Sequence, residues 1–176
     1  MKSRFLVAFA MFALSLTGCD SADKPTTISS DRPVVVEANQ SLAARIDAGH
    51  YDFVDSDIQS NFKVESVTAD YEAQLVTVAF NRGISSENAV AEIKAYGLRP
   101  ANTSECIAYG ATIAKARYQF DLGPPPYWLA CFGSIATFNG ERHVLVLGGW
   151  NGVWGLHLGR WELGWGPNER LLAVRP

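Results

Sequence analysis

Residues 128–161 read WLACFGSIATFNGERHVLVLGGWNGVWGLHLGRW, and this stretch decides the fold. Three runs rich in β-branched and aromatic residues, Trp128 to Phe138, Arg142 to Leu147 and Val153 to Trp161, are separated by Asn139-Gly140 and Asn151-Gly152. Asn-Gly favours a two-residue hairpin because both residues tolerate positive φ. The pattern predicts an antiparallel meander, to which Leu171 to Val174 adds a strand after a Gly166-Pro167-Asn168 turn.

Upstream, the periodicity is mixed. Leu75 to Phe80 is apolar on both alternating faces and reads as an inner strand. Ser41 to Ala48 reads as a short helix stopped by Gly49. The clearest helix starts at Ser85, with Ile84 placed to staple onto Ala89, Val90, Ile93 and Tyr96 at helical spacing, and Gly97 and Pro100 ending it. A second helix is expected after Asn102 or Thr103 through Ile107, Ala111 and Ala114 to about Tyr118, because Pro124 to Pro126 cannot continue it. Together these segments predict an α+β domain: an antiparallel β-sheet meander with two main helices packed on one face.

At the other end, Lys2 and Arg4 precede the apolar run Phe5 to Leu16, the charged and apolar regions of an export signal. The run is too short to span a bilayer core, which takes about 20 apolar residues. Leu16-Thr17-Gly18-Cys19 follows, and it resembles the lipobox of bacterial lipoproteins at all four positions. The resemblance implies a thioether-linked diacylglycerol on Cys19, cleavage before it, and often acylation of the new amino group. Two or three chains anchor stably where one binds only reversibly. Asp20 resembles the enterobacterial signal for retention at the periplasmic face of the inner membrane; lineages differ in this rule, so the outer membrane stays the alternative. The expected organisation is a signal peptide over 1–18, a flexible lipid-proximal linker over 19–33 rich in Ser, Thr, Asp, Lys and Pro, and a single α+β periplasmic domain over 34–176.

Removing Lys2 and Arg4 from the formal charge of -3 leaves about -5, with no basic block, which argues against a nucleic-acid partner. With Cys19 assigned to lipid, Cys106 and Cys131 remain as an even pair in an oxidising compartment. We expect a disulfide between them; two buried free thiols are the alternative.

No Gly-x-Ser-x-Gly elbow, phosphate loop or His-Glu-x-x-His helix is present, so the sequence supplies no catalytic set, metal site or cofactor motif. His143 and His157 flank the Asn151-Gly152 turn, and a small hydrolase would need them to face one another across the sheet. Asp47, His50, Asp52, Asp55 and Asp57 crowd one segment. The calcium-loop template fails there, which leaves aspartates capping backbone in a solvated turn. Trp128, Trp150, Trp154, Trp161 and Trp165 concentrate in the meander. Most are expected in the core; Trp150 beside a turn and Trp165 in a Gly-rich loop are the binding candidates, with Arg160 and Glu162 as polar neighbours.

From about Tyr51 to Arg175 the chain also resembles a loosely defined group of small uncharacterised bacterial proteins. The likeness is carried by Tyr51-Asp52-Phe53-Val54-Asp55-Ser56-Asp57-Ile58, Ile84-Ser85-Ser86-Glu87-Asn88-Ala89 and Leu171-Leu172-Ala173-Val174-Arg175. It implies a common fold and no catalytic residue. The expectation is therefore a membrane-tethered, non-enzymatic domain that binds another macromolecule, such as a protein partner, as an envelope accessory, inhibitor or immunity factor, with a carbohydrate or cell-wall glycan bound by the Trp-rich sheet as the second reading and the histidine hydrolase as the third.

Overall fold

The computed structural model describes residues 27–29, 32–80, 82–115, 128–150 and 153–176. In chain order the elements are β1 (Thr27–Ile28), β2 (Arg32–Val36), α1 (Leu42–Gly49), β3 (Phe53–Val54), α2 (Asp57–Asn61), β4 (Tyr71–Ala79), α3 (Ser86–Ala95), β5 (Arg99–Pro100), α4 (Thr103–Lys115), β6 (Trp128–Phe138), β7 (Glu141–Trp150), β8 (Val153–Arg160), a 3-10 turn (Trp161–Leu163) and β9 (Glu169–Arg175). The class is α+β. Among the described residues the strands form one sheet in the order β1-β4-β9-β6-β7-β8-β3, with β2 also beside β4 and β5 also beside β9.

The meander is present. β6 pairs antiparallel with β7, and β7 with β8 from His143↔Arg160 to Trp150↔Val153. Asn139 and Gly140 turn the first hairpin with φ of 53° and 77°, the doubly positive pair that such a turn needs. Asn151-Gly152 lies outside the described residues, as do Tyr118 and Pro124 to Pro126.

Two features depart from the expected architecture. The sheet is mixed rather than purely antiparallel: β9 runs parallel to β6 and β3 parallel to β8. β9 does not follow β8 in the sheet. Residues 161–168 carry the chain from the far end of β8 back to the start of β6, and β9 inserts between β6 and β4. The helices also do not share one face. Leu75, Leu129, Cys131, Leu145, Leu147, Leu156, Leu172 and Val174 point to a core closed by α1, α2 and α4 through Leu42, Ile46, Ile58, Ile107 and Ile113. Their alternating neighbours Val76, Val78, Ala130, Phe132, Val144, Val146, Leu171 and Ala173 point the other way, onto Ala89 and Ile93 of α3 and onto Trp161 and Trp165. Strands apolar on both faces must be covered on both.

The helices start where side chains satisfy their free amides. Ser41 accepts from the Ala44 amide at α1, and Ser85 from the Asn88 amide at α3. α1 runs through Gly49 and stops at His50, which takes the left-handed conformation with φ of 48°. Pairing begins inside the stretch expected as linker, since Thr27–Ile28 and Arg32–Pro33 already lie against β4. Among the described residues, no helix is long and apolar enough to cross a membrane.

Candidate functional site

The crossover between β8 and β9 is an irregular segment anchored by both backbone and side-chain bonds. Ile84 and Trp165 exchange backbone hydrogen bonds of 2.9 and 2.8 Å, tying the loop to the approach of α3. Ser86, fully buried, donates its hydroxyl to the Trp161 carbonyl at 2.7 Å and accepts from Trp165 Nε1 at 2.8 Å. Trp161 and Trp165 both pack on Phe132, with ring centroids 5.2 and 5.0 Å away. Two indoles driven into the sheet thus fix the backbone between them.

That fixed backbone lifts Leu163 into solvent. It is 72% exposed, the highest value among the large hydrophobic residues described. Beside it, a shallow open depression of about 510 Å³ is bounded by Gly83, Ser85, Gly164 and Gly166, with Trp165 below. Charges lie beside this apolar point, on the Glu162 side. Arg142 donates from Nε to Glu162 at 2.7 Å and from Nη2 to Glu87 at 3.3 Å, and its guanidinium lies 5.3 Å from the Trp161 ring centre. Glu87 also accepts from Trp161 Nε1. That indole bond, then Arg142, holds the Glu87 carboxyl below the usual carboxylate range; Arg142 does the same for Glu162. Arg160 pairs with Glu141 one strand away.

The residues singled out by the sequence partly meet here. Arg160 and Glu162 are exposed and flank the crossover, but they belong to separate ion pairs, Glu162 with Arg142 and Arg160 with Glu141. Trp165 is not exposed as expected: with 6% of its surface accessible it forms the floor of the depression instead of projecting from it. The apolar tip that does reach solvent is Leu163, which carries no signal of its own in the sequence. The Trp150 side chain lies outside what is described, as do Cys19 and Asp20. Trp154 and Trp161 are buried, and of the meander tryptophans described only Trp128 is half-exposed.

His143 and His157 do not meet. His143 is opposite Arg160 and His157 opposite Val146, three positions apart in register. An odd offset puts them on opposite faces of the sheet, roughly 10 Å apart along the strand. His143 stacks on Phe138, with ring centroids 4.2 Å apart, while His157 stacks on Phe53 at 4.8 Å and meets Trp128 edge-on. Burial lowers the His157 pKa, opposed by Asp55. Two aspartates of the acidic segment bind backbone: Asp52 accepts from the Trp154 amide at 2.9 Å and Asp55 from the Asp57 amide at 3.0 Å. Among the described residues, no group of three His, Cys, Asp or Glu is placed to hold a metal ion.

A second polar concentration surrounds the start of α4. Asn102 Oδ1 accepts from the Glu105 amide and Glu105 Oε2 accepts from the Asn102 amide, both at 2.9 Å, a reciprocal capping box. Glu105 is fully buried; it also takes Arg99 on both oxygens and the Tyr71 hydroxyl at 3.1 Å. Glu65 accepts from Ser104 at 2.9 Å and Ser134 at 2.8 Å, and Ser134 accepts from the Thr103 amide. Apart from the Thr103 hydroxyl, which is buried without a partner, these bonds satisfy backbone and side chains around the helix end, which makes the cluster a structural one. The spacing Asn102-x-x-Glu105 was the sequence signal for it. One turn on, Cys106 is joined to Cys131 in a disulfide with Cα atoms 6.1 Å apart, clamping α4 to β6.

No family model matches this chain, and no curated protein or solved structure is significantly similar to it.

Proposed function

We propose that this chain is a lipid-anchored protein of the bacterial envelope, tethered through Cys19, whose crossover face binds a protein partner without catalysis. The observation that carries the binding reading is Leu163, exposed between two buried indoles and next to Glu162, whose carboxylate continues into Arg142 and Glu87. An apolar tip with charged groups beside it suits an interface, where desolvation is concentrated on the apolar point while the charges set register. Pre-formed backbone spares the partner the entropy of ordering a loop. The anchor reading is supported by the Leu16-Thr17-Gly18-Cys19 motif and by the Cys106–Cys131 disulfide, which suits an oxidising compartment. Asp20 favours the inner membrane as the place of attachment. A glycan partner has less support, since the sheet tryptophans are mostly taken up by the core. Site-specific photo-crosslinking in intact envelopes tests the reading. A probe at position 163 should give a discrete heavier adduct, lost on Arg142→Glu, and a probe at exposed Asn168 should not; equal or absent capture at both positions refutes it.

A further inference from the structure

On the opposite side of the sheet, a groove of about 370 Å³ runs between β2, α1 and α4. Arg45 is one of its walls. The buried side of α1 is Leu42, Arg45, Ile46 and Gly49, at helical spacing, while Ala43, Ala44, Asp47 and Ala48 face solvent. A cation therefore occupies a core-facing position with only 6% of its surface exposed, although the exposed side of the same helix has room for it. Charged residues are rarely buried so far unless paired. Arg45 forms no ion pair among the described residues. Nη2 donates to the Glu37 carbonyl, and Nε is buried without a hydrogen-bond partner.

The rest of the groove shows what would satisfy this charge. Its lining is mainly aliphatic, with Val34 and Ile107 deeply buried and Val35 57% exposed at the lip. The Glu37 carboxylate, which accepts from the Gln40 amide, stands at the polar end. One buried guanidinium that, among the described residues, no carboxylate within 4.0 Å neutralises accommodates a single added negative charge, and the Glu37 carboxylate elsewhere on the lining disfavours a second. We propose that the groove is a binding site for an amphipathic monocarboxylate, its planar head group on Arg45 and its aliphatic body along Val34, Val35 and Ile107. Guanidinium and carboxylate match in plane and in donor spacing. Fatty-acid tails and the C-termini of apolar peptides share this chemistry. The site is separate from the crossover face and does not depend on it.

The test is titration of the full ¹⁵N-labelled chain with octanoate, acetyl-Ala-Ala-Val, octyl phosphate and 1-octanol, following the Arg45 Nε–H and the amides of 107–112. Saturable shifts with octanoate or with the peptide are expected, and which of the two binds identifies the source of the carboxylate. Octyl phosphate and 1-octanol should bind at least tenfold more weakly. Arg45→Gln should weaken the carboxylate by roughly tenfold to a hundredfold, the range for losing a charged hydrogen bond. Because that substitution also alters the core, Val35→Glu supplies the second arm: on the exposed lip it should leave the melting temperature unchanged and weaken binding at least tenfold. Absence of saturable shifts with both carboxylates, equal binding of 1-octanol, or full affinity in both variants overturns the proposal.

Discussion

Tyr51 shows how single side chains set the packing of this molecule. Its ring is wedged between α1 and α4, and its hydroxyl donates to the Ile107 carbonyl at 2.7 Å. Burial holds that hydroxyl well above the usual phenol range. The wedge fits only because Gly110 has no side chain: a Cβ there would sit 2.2 Å from the Tyr51 hydroxyl and 2.6 Å from Leu147 Cδ2. Gly110→Ala should destabilise by about 1–3 kcal/mol, the range for overpacking. Denaturant midpoints will check this, and combining it with Tyr51→Phe should be less than additive because the two sites touch. Strict additivity would place the strain elsewhere. His157 supplies the pH dependence at this scale. Burial disfavours its charged form, so the folded pKa lies below the unfolded value of about 6.5. Its contribution is fully present above that value and is lost as the pH falls, because the unfolded chain takes the proton first. His157→Gln removes both the stacking on Phe53 and this penalty, so its stability deficit should shrink between pH 7 and pH 5. A deficit that stays constant across that interval would contradict the assignment.

At the scale of elements, Ser86 links α3 to the crossover and so determines what the surface presents. Ser86→Ala strands the Trp161 carbonyl and Trp165 Nε1 together, and should cost about 1–3 kcal/mol. Hydrogen exchange at Trp165 and Leu163 should accelerate more than at β6 or β7; uniform acceleration would mean that the crossover is not a distinct unit. The individual elements were largely legible in the sequence, since Ser85 and Asn139-Gly140 act through local chemistry. The partners of β9 were not. A run such as Leu171 to Val174 carries its two apolar faces openly but not its neighbours, and insertion between β4 and β6 depends on the path of residues 161–168 over the sheet. The same two-faced pattern, already visible from Leu75 to Phe80, required cover on both sides, which the expectation of helices on one face overlooked. The candidate site was half legible. Glu162 and Arg160 stand out by charge, but whether Trp165 or Leu163 reaches solvent is decided by the buried Ser86 hydroxyl far along the chain.

Taken whole, the molecule is a sheet covered on both faces, clamped once across its α4 side by Cys106–Cys131. Closing a loop of this length restricts the unfolded chain and contributes about 3 kcal/mol where no strain opposes it. A clamp of that kind persists in an oxidising compartment, and the lipobox resemblance at Leu16 to Cys19 points to the same address. Among the described residues pairing starts at Thr27, eight positions after Cys19, so an acyl group on Cys19 would lie close to the sheet in sequence. An anchor so placed would hold the crossover face close to the membrane, where a partner embedded in or attached to the same bilayer is met at high effective concentration. Intact-mass analysis of the mature protein tests this account most directly. It predicts a chain beginning at Cys19 that carries a thioether-linked diacylglycerol and gains two hydrogens on reduction of the disulfide; a mature product without hydrocarbon would contradict it.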